Sequence, residues 1–494
     1  MQATSGLGIM ALMKVLCFDL SASSGRFIVV SYDKGQILTE ETHRFSNHPY
    51  EKDGHLYWDI RAIEEQMLCG IKFSFHSHPD IQSIGIDTFG VDYVRLGKGS
   101  SLLSDPFAYR DLRNVAAREK ATNKVPYSEI YQTTGIQSLP FNTLFQFYDD
   151  KIQGYPAEEV LFLPDYLNYL LTGVKATERT IASTGALLDL NRELALPLLE
   201  RLGLNPSLLP PLKDPLTRLG TLRHDIASSL GVPEVPIILT ASHDTASAVA
   251  SIDLDEDTLY LSSGTWSLLG AETSAPIVTP AAEEANFTNE LGLNGSNRFL
   301  KNIMGLFILQ ELYNAWQALC PSLTFSRLAL EASQSPALPF FIDVDDPLFA
   351  TPMDMEKKFY QYLKKTKQES GKLTRGEIAR IVYESMAFAY KRQYETFAAL
   401  HGKPYGRLVV VGGGSKAELL NQFIADALSL TVQTGQAEAT VYGNALAQFL
   451  SLDKSLSWGQ LRHAMIPEDR RVYTPKNDLS SRYLRYQEII HRRK

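Results

Sequence analysis

Only three cysteines occur in 494 residues, Cys17, Cys69 and Cys320, and no two of them form a C-x-x-C pair. That scarcity argues against a disulfide framework or a cysteine-built zinc site and points to a reducing compartment, the cytoplasm. No apolar run approaches the ~18 residues that a membrane span needs. The opening "MQATSGLGIMALMK" lacks a basic segment ahead of its short apolar stretch. It therefore reads as an upstream start or an expression remnant rather than a signal peptide. With no export signal, the N-x-S/T sites at Asn286 and Asn294 are not expected to carry glycans. Positive charge is also short: 48 Lys and Arg face 56 Asp and Glu, a net charge of −8. That balance disfavours nucleic acid or an anionic membrane as the main partner, though not a nucleotide, which needs only local positive potential. The G-x-x-x-x-G-K-[ST] phosphate loop and the protein-kinase H-R-D are both missing, so the commonest kinase frameworks do not apply.

What is present is an ordinary globular composition, 44% hydrophobic and 21% charged, on a chain long enough for about two to three domains. From residue 14, "KVLCFDL", "SASSG", "RFIVVSYD" and "ILTEETHRF" read as strand, polar loop and two further strands in a meander, turned at Asp33-Lys34-Gly35. A similar start recurs from 258 in "TLYLSS", "GTW" and "SLLGAET". Two such beginnings suggest a duplicated α/β architecture of two similar halves. Between them, "EEVLFLPDYLNYLLTG" reads as an apolar helix stopped by Gly173, and "LNPSLLPPLKDPLTRLG" as a Pro-rich connection. "VPIILTASHDTASAVASI" reads as a buried strand running into a helix of small residues. Later come a long helix ending at Gly402, a strand–glycine loop–helix unit in "RLVVVGGGSKAELLNQFIADAL", and a charged tail whose "RYLRYQEIIHRRK" predicts a surface helix.

Chemistry concentrates in the loops that follow strands. In "DLSASSGR", small residues let backbone N–H groups approach phosphate oxygens, Ser23 and Ser24 add hydroxyls, Arg26 adds charge, and Asp19 suits a hydrated Mg²⁺. The same residues also make a plain capped turn. "LSSGTWS" stands at the matching place in the second half, and two facing loops would clamp a polyphosphate from both sides. "VVVGGGSKA" contains G-x-G-x-x-A, a weak dinucleotide signal placed too late in the chain; its glycines serve close strand–helix packing equally well. "GIDTFGVDY" (with Asp87, Gly90 and Asp92) and "YRD" (Tyr109 to Asp111) form a second polar group suited to a polyol.

"ASHDTAS" puts Ser242, His243 and Asp244 side by side. Adjacent side chains diverge on a strand or a helix, and no G-x-S-x-G elbow surrounds the serine, so a hydrolase triad is disfavoured. Phosphoryl transfer needs a carboxylate to take the acceptor hydroxyl's proton. Asp244, at a strand-to-helix junction with small neighbours, suits that role, and His243 suits a hydrogen bond to a substrate oxygen or a purely structural place.

With these motifs in this order, the chain resembles the FGGY carbohydrate kinases from about residue 14 to about 475. The resemblance rests on "ASSGR", "GIDTFGVD", "AYRD", "GIQSLPFNTL", "LPDYLNYLLTG", "ASHDTASAV", "YLSSGTWSL", "LKNIMGLFILQ" and "VGGGSKAELLNQ". It implies an α/β fold of two actin-like (ribonuclease-H-like) domains, with residues 14–250 binding sugar and 251–494 binding nucleotide across a cleft. It also implies ATP and Mg²⁺. "ASHDTASAV" and "KNIMG" are specific to the branch whose acceptor is the ketose L-rhamnulose, phosphorylated at O1. By resemblance, Asp244 is the catalytic base, while Gly90, His243, Thr245 and Asn302 face the ketose. Ala22, Ser23, Ser24, Gly25, Arg26, Thr265, Gln310 and Gly413 then face ATP. Two departures stand out: Ser21 replaces a customary glycine, which would cost strain if φ were positive there, and Phe89 replaces a common tryptophan. A related ketose or deoxysugar kinase, and a non-catalytic actin-like nucleotide and sugar sensor, remain as other readings. A monomer or small homo-oligomer is expected.

Overall fold

The protein is described by a computed structural model over residues 12–491. The expectation for the opening residues concerns mostly positions outside that range. A six-stranded sheet occupies the first half. Its strands are β1 (Met13–Leu20), β2 (Ser24–Asp33), β3 (Gln36–Ser46), β4 (Ile84–Thr88), β5 (Arg218–Thr221) and β6 (Pro236–His243), in the order β5-β6-β4-β1-β2-β3. β1 and β4 are buried on both faces and central, the pattern of a strand covered by helices on either side. β1, β2 and β3 form an antiparallel meander, whereas β1, β4 and β6 run parallel.

The second sheet has seven strands: β7 (Thr258–Ser263), β8 (Trp266–Thr273), β9 (Thr288–Leu291), β10 (Asn297–Met304), β11 (Arg407–Val411), β12 (Thr431–Thr434) and β13 (Val472–Tyr473). Their order is β9-β10-β8-β7-β11-β12-β13. Here β7, β8 and β10 are the antiparallel meander, and β7, β11 and β12 are parallel. Both sheets thus share one plan, three antiparallel strands followed by two parallel ones, which is the ribonuclease-H-like arrangement in duplicate. The internal repeat read from the two strand–loop–strand beginnings is real.

The halves exchange material. The helix Tyr127–Thr134 puts Tyr131 into the core of the second sheet. In the other direction, α4 (Ala439–Leu452) packs Val441, Ala445 and Phe449 against Val15, Cys17 and Ala246 of the first half. The long helix α2 (Arg375–His401) starts with a capping box between Thr374 and Glu377 and ends at Gly402 with φ 76°. α3 (Glu418–Leu428) follows the glycine loop, and α1 (Asp244–Ala250) follows β6.

One reading needs correction. "EVLF" forms a short strand, Glu159–Phe162, with the helix starting at Leu163, because the alternation of Val160 and Phe162 into the neighbouring core outweighs helical continuity. The C-terminal helix Ser480–His491 lies at the surface as read, and one face of it is buried: Tyr483, Tyr486 and Ile489 point inward, with Tyr486 against Phe341 and Phe388. No helix among the described residues is long and apolar enough to cross a membrane.

α4 crosses α1 at Gly443, where an added Cβ would lie 1.7 Å from the Ser247 carbonyl oxygen. Backbone meets backbone, so the clash cannot be relieved by a rotamer. Gly443→Ala should therefore cost ~1–3 kcal/mol or more of stability, the penalty for overpacking. Thermal unfolding checks it, and an unchanged Tm would mean that the helix crossing is looser than described.

Candidate active site

The parallel strands β1, β4 and β6 deliver three carboxyl groups to one end of the first sheet. Asp19 and Asp87 are register partners on β1 and β4, and Asp244 follows directly on β6. Asp19 and Asp87 are buried. The Asp244 side chain keeps 28% of its surface exposed, so it is enclosed yet reachable. Countercharge is scarce: the Arg26 guanidinium pairs with Asp19 from one nitrogen and with Glu438, from the second half, through another. Asp87 accepts a hydrogen bond from Asn444 Nδ2 at 2.6 Å on one oxygen, while its buried Oδ1 has no partner.

Burial first, and then the neighbouring Asp19 charge, pushes Asp87 well above the usual carboxylate range. The same two causes push Asp244 up to about 7, against a lowering hydrogen bond from the Thr245 hydroxyl at 3.0 Å. Asp244 also sits in the first turn of α1, where the helix dipole favours an anion. Desolvation and like charge win over both. A carboxyl poised near neutrality is what proton abstraction from an alcohol requires.

His243 lies against this carboxyl, its Nε2 3.3 Å from Asp244 Oδ1. Gly90 leaves the space beside it: a Cβ there would come 3.4 Å from the imidazole Nε2. Thr245 is spent on Asp244. Asn302, on β10 of the second half, donates its amide to Gln137 Oε1 at 2.8 Å, across from the first half. Aromatic rings run from this region toward the second half: Phe89 packs on Trp58 and Tyr109, Tyr109 on Phe141, and Phe141 on Trp266. The Arg110 guanidinium lies over Tyr109, Trp266 and Phe307. Phe89, where tryptophan was expected, is thus one panel of that wall. Asp92 and Asp111, singled out beside Asp87 as polyol ligands, are instead occupied. Asp92 accepts from the Trp58 indole at 2.7 Å, the Tyr109 N–H and Gln146. Asp111 accepts from the Leu56 and Arg113 N–H groups.

The loop after β1 is a turn closed by Ser21 N–H to Ser24 C=O at 2.9 Å. Ser21 does not take a positive φ, so the anticipated strain is absent. Its hydroxyl instead accepts from the Ser24 N–H at 3.1 Å. Ala22 is half-buried, Ser23 exposed, Ser24 half-buried and Gly25 buried beneath the Phe45 ring. The Thr265 turn after β7 is exposed, as is Gln310 on the first turn of the helix Phe307–Leu319. In the third loop, Gly412 has φ 79° and Gly414 would strike the Ser263 hydroxyl with any Cβ. Gly413 between them meets nothing within 4 Å, so it opens onto free space.

Sequence reasoning missed the supports of this site. Glu178, buried, accepts from the Ser242 N–H at 3.2 Å and from Thr180 and Ile181, fixing the strand end before His243. Arg298 and Glu290 stand behind His243. Arg298 sits four residues before Asn302 on β10, so strand alternation alone places both on one face. Asn444 had no such signal.

Two ribonuclease-H-like halves with carboxylates on one side and small-residue loops on the other define a sugar-kinase architecture. The chain belongs to the FGGY family of carbohydrate kinases: the N-terminal domain model matches residues 14–251 and the C-terminal domain model residues 259–452. It is similar to the rhamnulokinase of Bacteroides thetaiotaomicron, 41% identical over 452 residues, covering 90% of this chain and 92% of that one. The rhamnulokinase of Bacillus subtilis is 36% identical, with 93% and 95% covered. In fold, the chain resembles xylulose kinase from Lactobacillus acidophilus (TM-score 0.78, 18% identity, 97% and 96% covered). It also resembles Plasmodium falciparum glycerol kinase with ADP (TM-score 0.79, 17% identity, 97% and 98% covered).

The Asp244 environment has a measurable consequence for stability. Its folded pKa, about 7, lies above the unfolded value near 3.8. Ionising it therefore destabilises the fold, by a penalty absent below the unfolded pKa and complete above about pH 7. Asp244→Asn escapes that penalty. The variant should melt above the wild type at pH 8, with the difference shrinking toward pH 5. A difference in Tm that does not change with pH would show an ordinary carboxyl.

Proposed function

We propose that the protein transfers the γ-phosphoryl group of ATP to O1 of L-rhamnulose. The observation that carries this reading is the enclosed, reachable Asp244 carboxyl with its pKa near 7, in a chain similar along nearly its whole length to rhamnulokinases. In the reaction, Asp244 takes the proton of the O1 hydroxyl as that oxygen attacks the γ-phosphorus. The bond from phosphorus to the β–γ bridging oxygen breaks, its electron pair stays on that oxygen, and ADP leaves. His243, Thr245, Gly90 and Asn302 border the ketose. Arg26 and the loop Ala22–Gly25 would meet the phosphates from one side and Thr265 from the other, with Gln310 and Gly413 toward the nucleoside. The division into residues 14–250 and 251–494 suits these roles only loosely, since Asn302 and Arg26 each serve the opposite half's ligand.

Mg²⁺ belongs to the same proposal. The unpaired Asp87 Oδ1 and the crowded Asp19 offer hard oxygen donors and surplus negative charge. No group of three ligating side chains occurs among the described residues, which suits Mg²⁺, an ion that keeps several waters and takes one or two carboxylates beside phosphate. Asp19 and Asp87 would hold it, and when bound it supplies charge neutralisation at the phosphates. The reading places the enzyme in the cytoplasm.

Asp244→Asn keeps the size of the side chain but accepts no proton. It should lower kcat by ~10²–10⁴-fold, with sugar and ATP binding changed by less than about tenfold. His243→Ala should weaken sugar binding more than it slows turnover. A folded Asp244→Asn enzyme keeping more than about a tenth of wild-type kcat, with chemistry rate-limiting, would move the base elsewhere. Turnover of glycerol or D-xylulose but not of L-rhamnulose would sink the substrate and spare the family. At Gly413 the open space allows a clean test: Gly413→Leu should raise the KM for ATP and leave Tm unchanged. An unaltered KM in that folded variant would remove the nucleoside from this loop.

A further inference from the structure

Arg298 approaches the imidazole of His243 from behind, across the junction of the halves. The guanidinium is fully buried, and its register partner Glu290 on β9 faces it directly, accepting from the same terminal nitrogen at 3.0 Å. Arg298 Nε is spent on the Leu291 carbonyl at 3.1 Å. That nitrogen shared with Glu290 stands 3.2 Å from His243 Nδ1. A guanidinium only donates hydrogen bonds and keeps its protons at any working pH. His243 Nδ1 must therefore present its lone pair. The one proton of the neutral ring then sits on Nε2, the nitrogen facing Asp244 Oδ1 at 3.3 Å.

We propose that Arg298 is a positioning residue that fixes His243 as the Nε2–H tautomer, so that a hydrogen-bond donor always faces the base and the sugar oxygen next to it. Glu290 locks Arg298 in place by a cross-strand ion pair. The competing arrangement puts the proton on Nδ1, toward Glu290 Oε2, but the 3.5 Å separation is long for a hydrogen bond and Arg298 already occupies that oxygen. Burial and the Arg298 charge also hold the ring neutral. An imidazole of the wrong tautomer would turn a lone pair toward Asp244 and repel it. The device has a structural consequence: His243 belongs to the first half and Arg298 to the second, so the donor beside the base is defined only when the halves are docked. This role rests on the proposed sugar-kinase reaction for its kinetic expression, but the tautomer does not.

The test uses the full chain labelled with ¹⁵N-histidine, with the His243 signal among the ten histidines assigned by its loss in His243→Asn. The wild type should show Nε2 protonated and Nδ1 bare at neutral pH; Nδ1–H or a doubly protonated ring overturns the proposal without any variant. Arg298→Met should move the proton partly or wholly to Nδ1. It should also lower kcat/KM for the sugar by roughly 10–100-fold, the scale of lost outer-sphere support, and leave the KM for ATP within about threefold. Arg298→Lys, which keeps a donor, should restore the Nε2–H form and part of the sugar kinetics. A folded Arg298→Met protein with an unchanged tautomer overturns the proposal even if activity falls, because the arginine would then be structural only. Should Arg298→Met fail to fold, the wild-type and Arg298→Lys spectra decide. Failure of the wild type to phosphorylate L-rhamnulose would count against the proposed reaction alone, since the tautomer is read without turnover.

Discussion

Three carboxyl groups share the ends of three adjacent parallel strands with a single guanidinium beside them, and that charge imbalance governs the rest of the site. Arg26 answers Asp19 alone, and its other arm is drawn across to Glu438. Asp87 and Asp244 are left to desolvation and to the charge of Asp19, which is why both hold protons at unusually high pH. The imbalance is useful. It holds the Asp244 carboxyl near neutrality and leaves surplus negative charge at the strand ends. A polyphosphate brought in without a cation would add charge of the wrong sign.

The duplicated fold divides this labour by filling equivalent places differently. The first meander carries Asp19 one residue before the end of its leading strand, whereas the second ends on Ser262 and Ser263. The next parallel strand closes on Asp87 and Thr88 in the first half and on Val411, followed by three glycines, in the second. One half thus places carboxylates at its strand ends, the other backbone and hydroxyls. Gly412 and Gly414 pack tightly on Ser263 and carry Gly413 outward between them. Tight packing and an open face coexist in three residues.

Much of this was legible from local pattern. The meanders, the strand-to-helix step at His243–Asp244 and the glycine loop all follow from short-range alternation and turn chemistry, and a duplicated order emerged from comparing two beginnings. What local pattern could not show were side chains satisfied by remote partners. Asp92 looks like a ligand in "GVDY" but is consumed by Trp58 and Gln146. Ser21 looks like a strained replacement for glycine but caps its own turn. Glu178 and Asn444 reach the site from far along the chain, and no periodicity advertises them. Arg298 was readable in principle, since it shares a strand face with Asn302, yet its partner lies in the other half.

Besides the packing of α4 on the first half, three contacts between the halves lie close to Asp244 and its neighbours. Arg298 reaches His243, Asn302 reaches Gln137, and Arg110 lies over Trp266 and Phe307. Each is a polar or cationic group meeting a partner that would otherwise need water. Separating the halves would hydrate all three sets together, and it would leave the His243 ring free to exchange tautomers and Asp244 without a fixed neighbour. The docked arrangement both excludes that water and holds the His243 ring beside Asp244. A phosphoryl-transfer site has reason to couple the two, because water is itself an acceptor for the group being moved. In the proposed reaction, the surroundings of Asp244 are therefore best defined when solvent is least able to compete for the phosphoryl group.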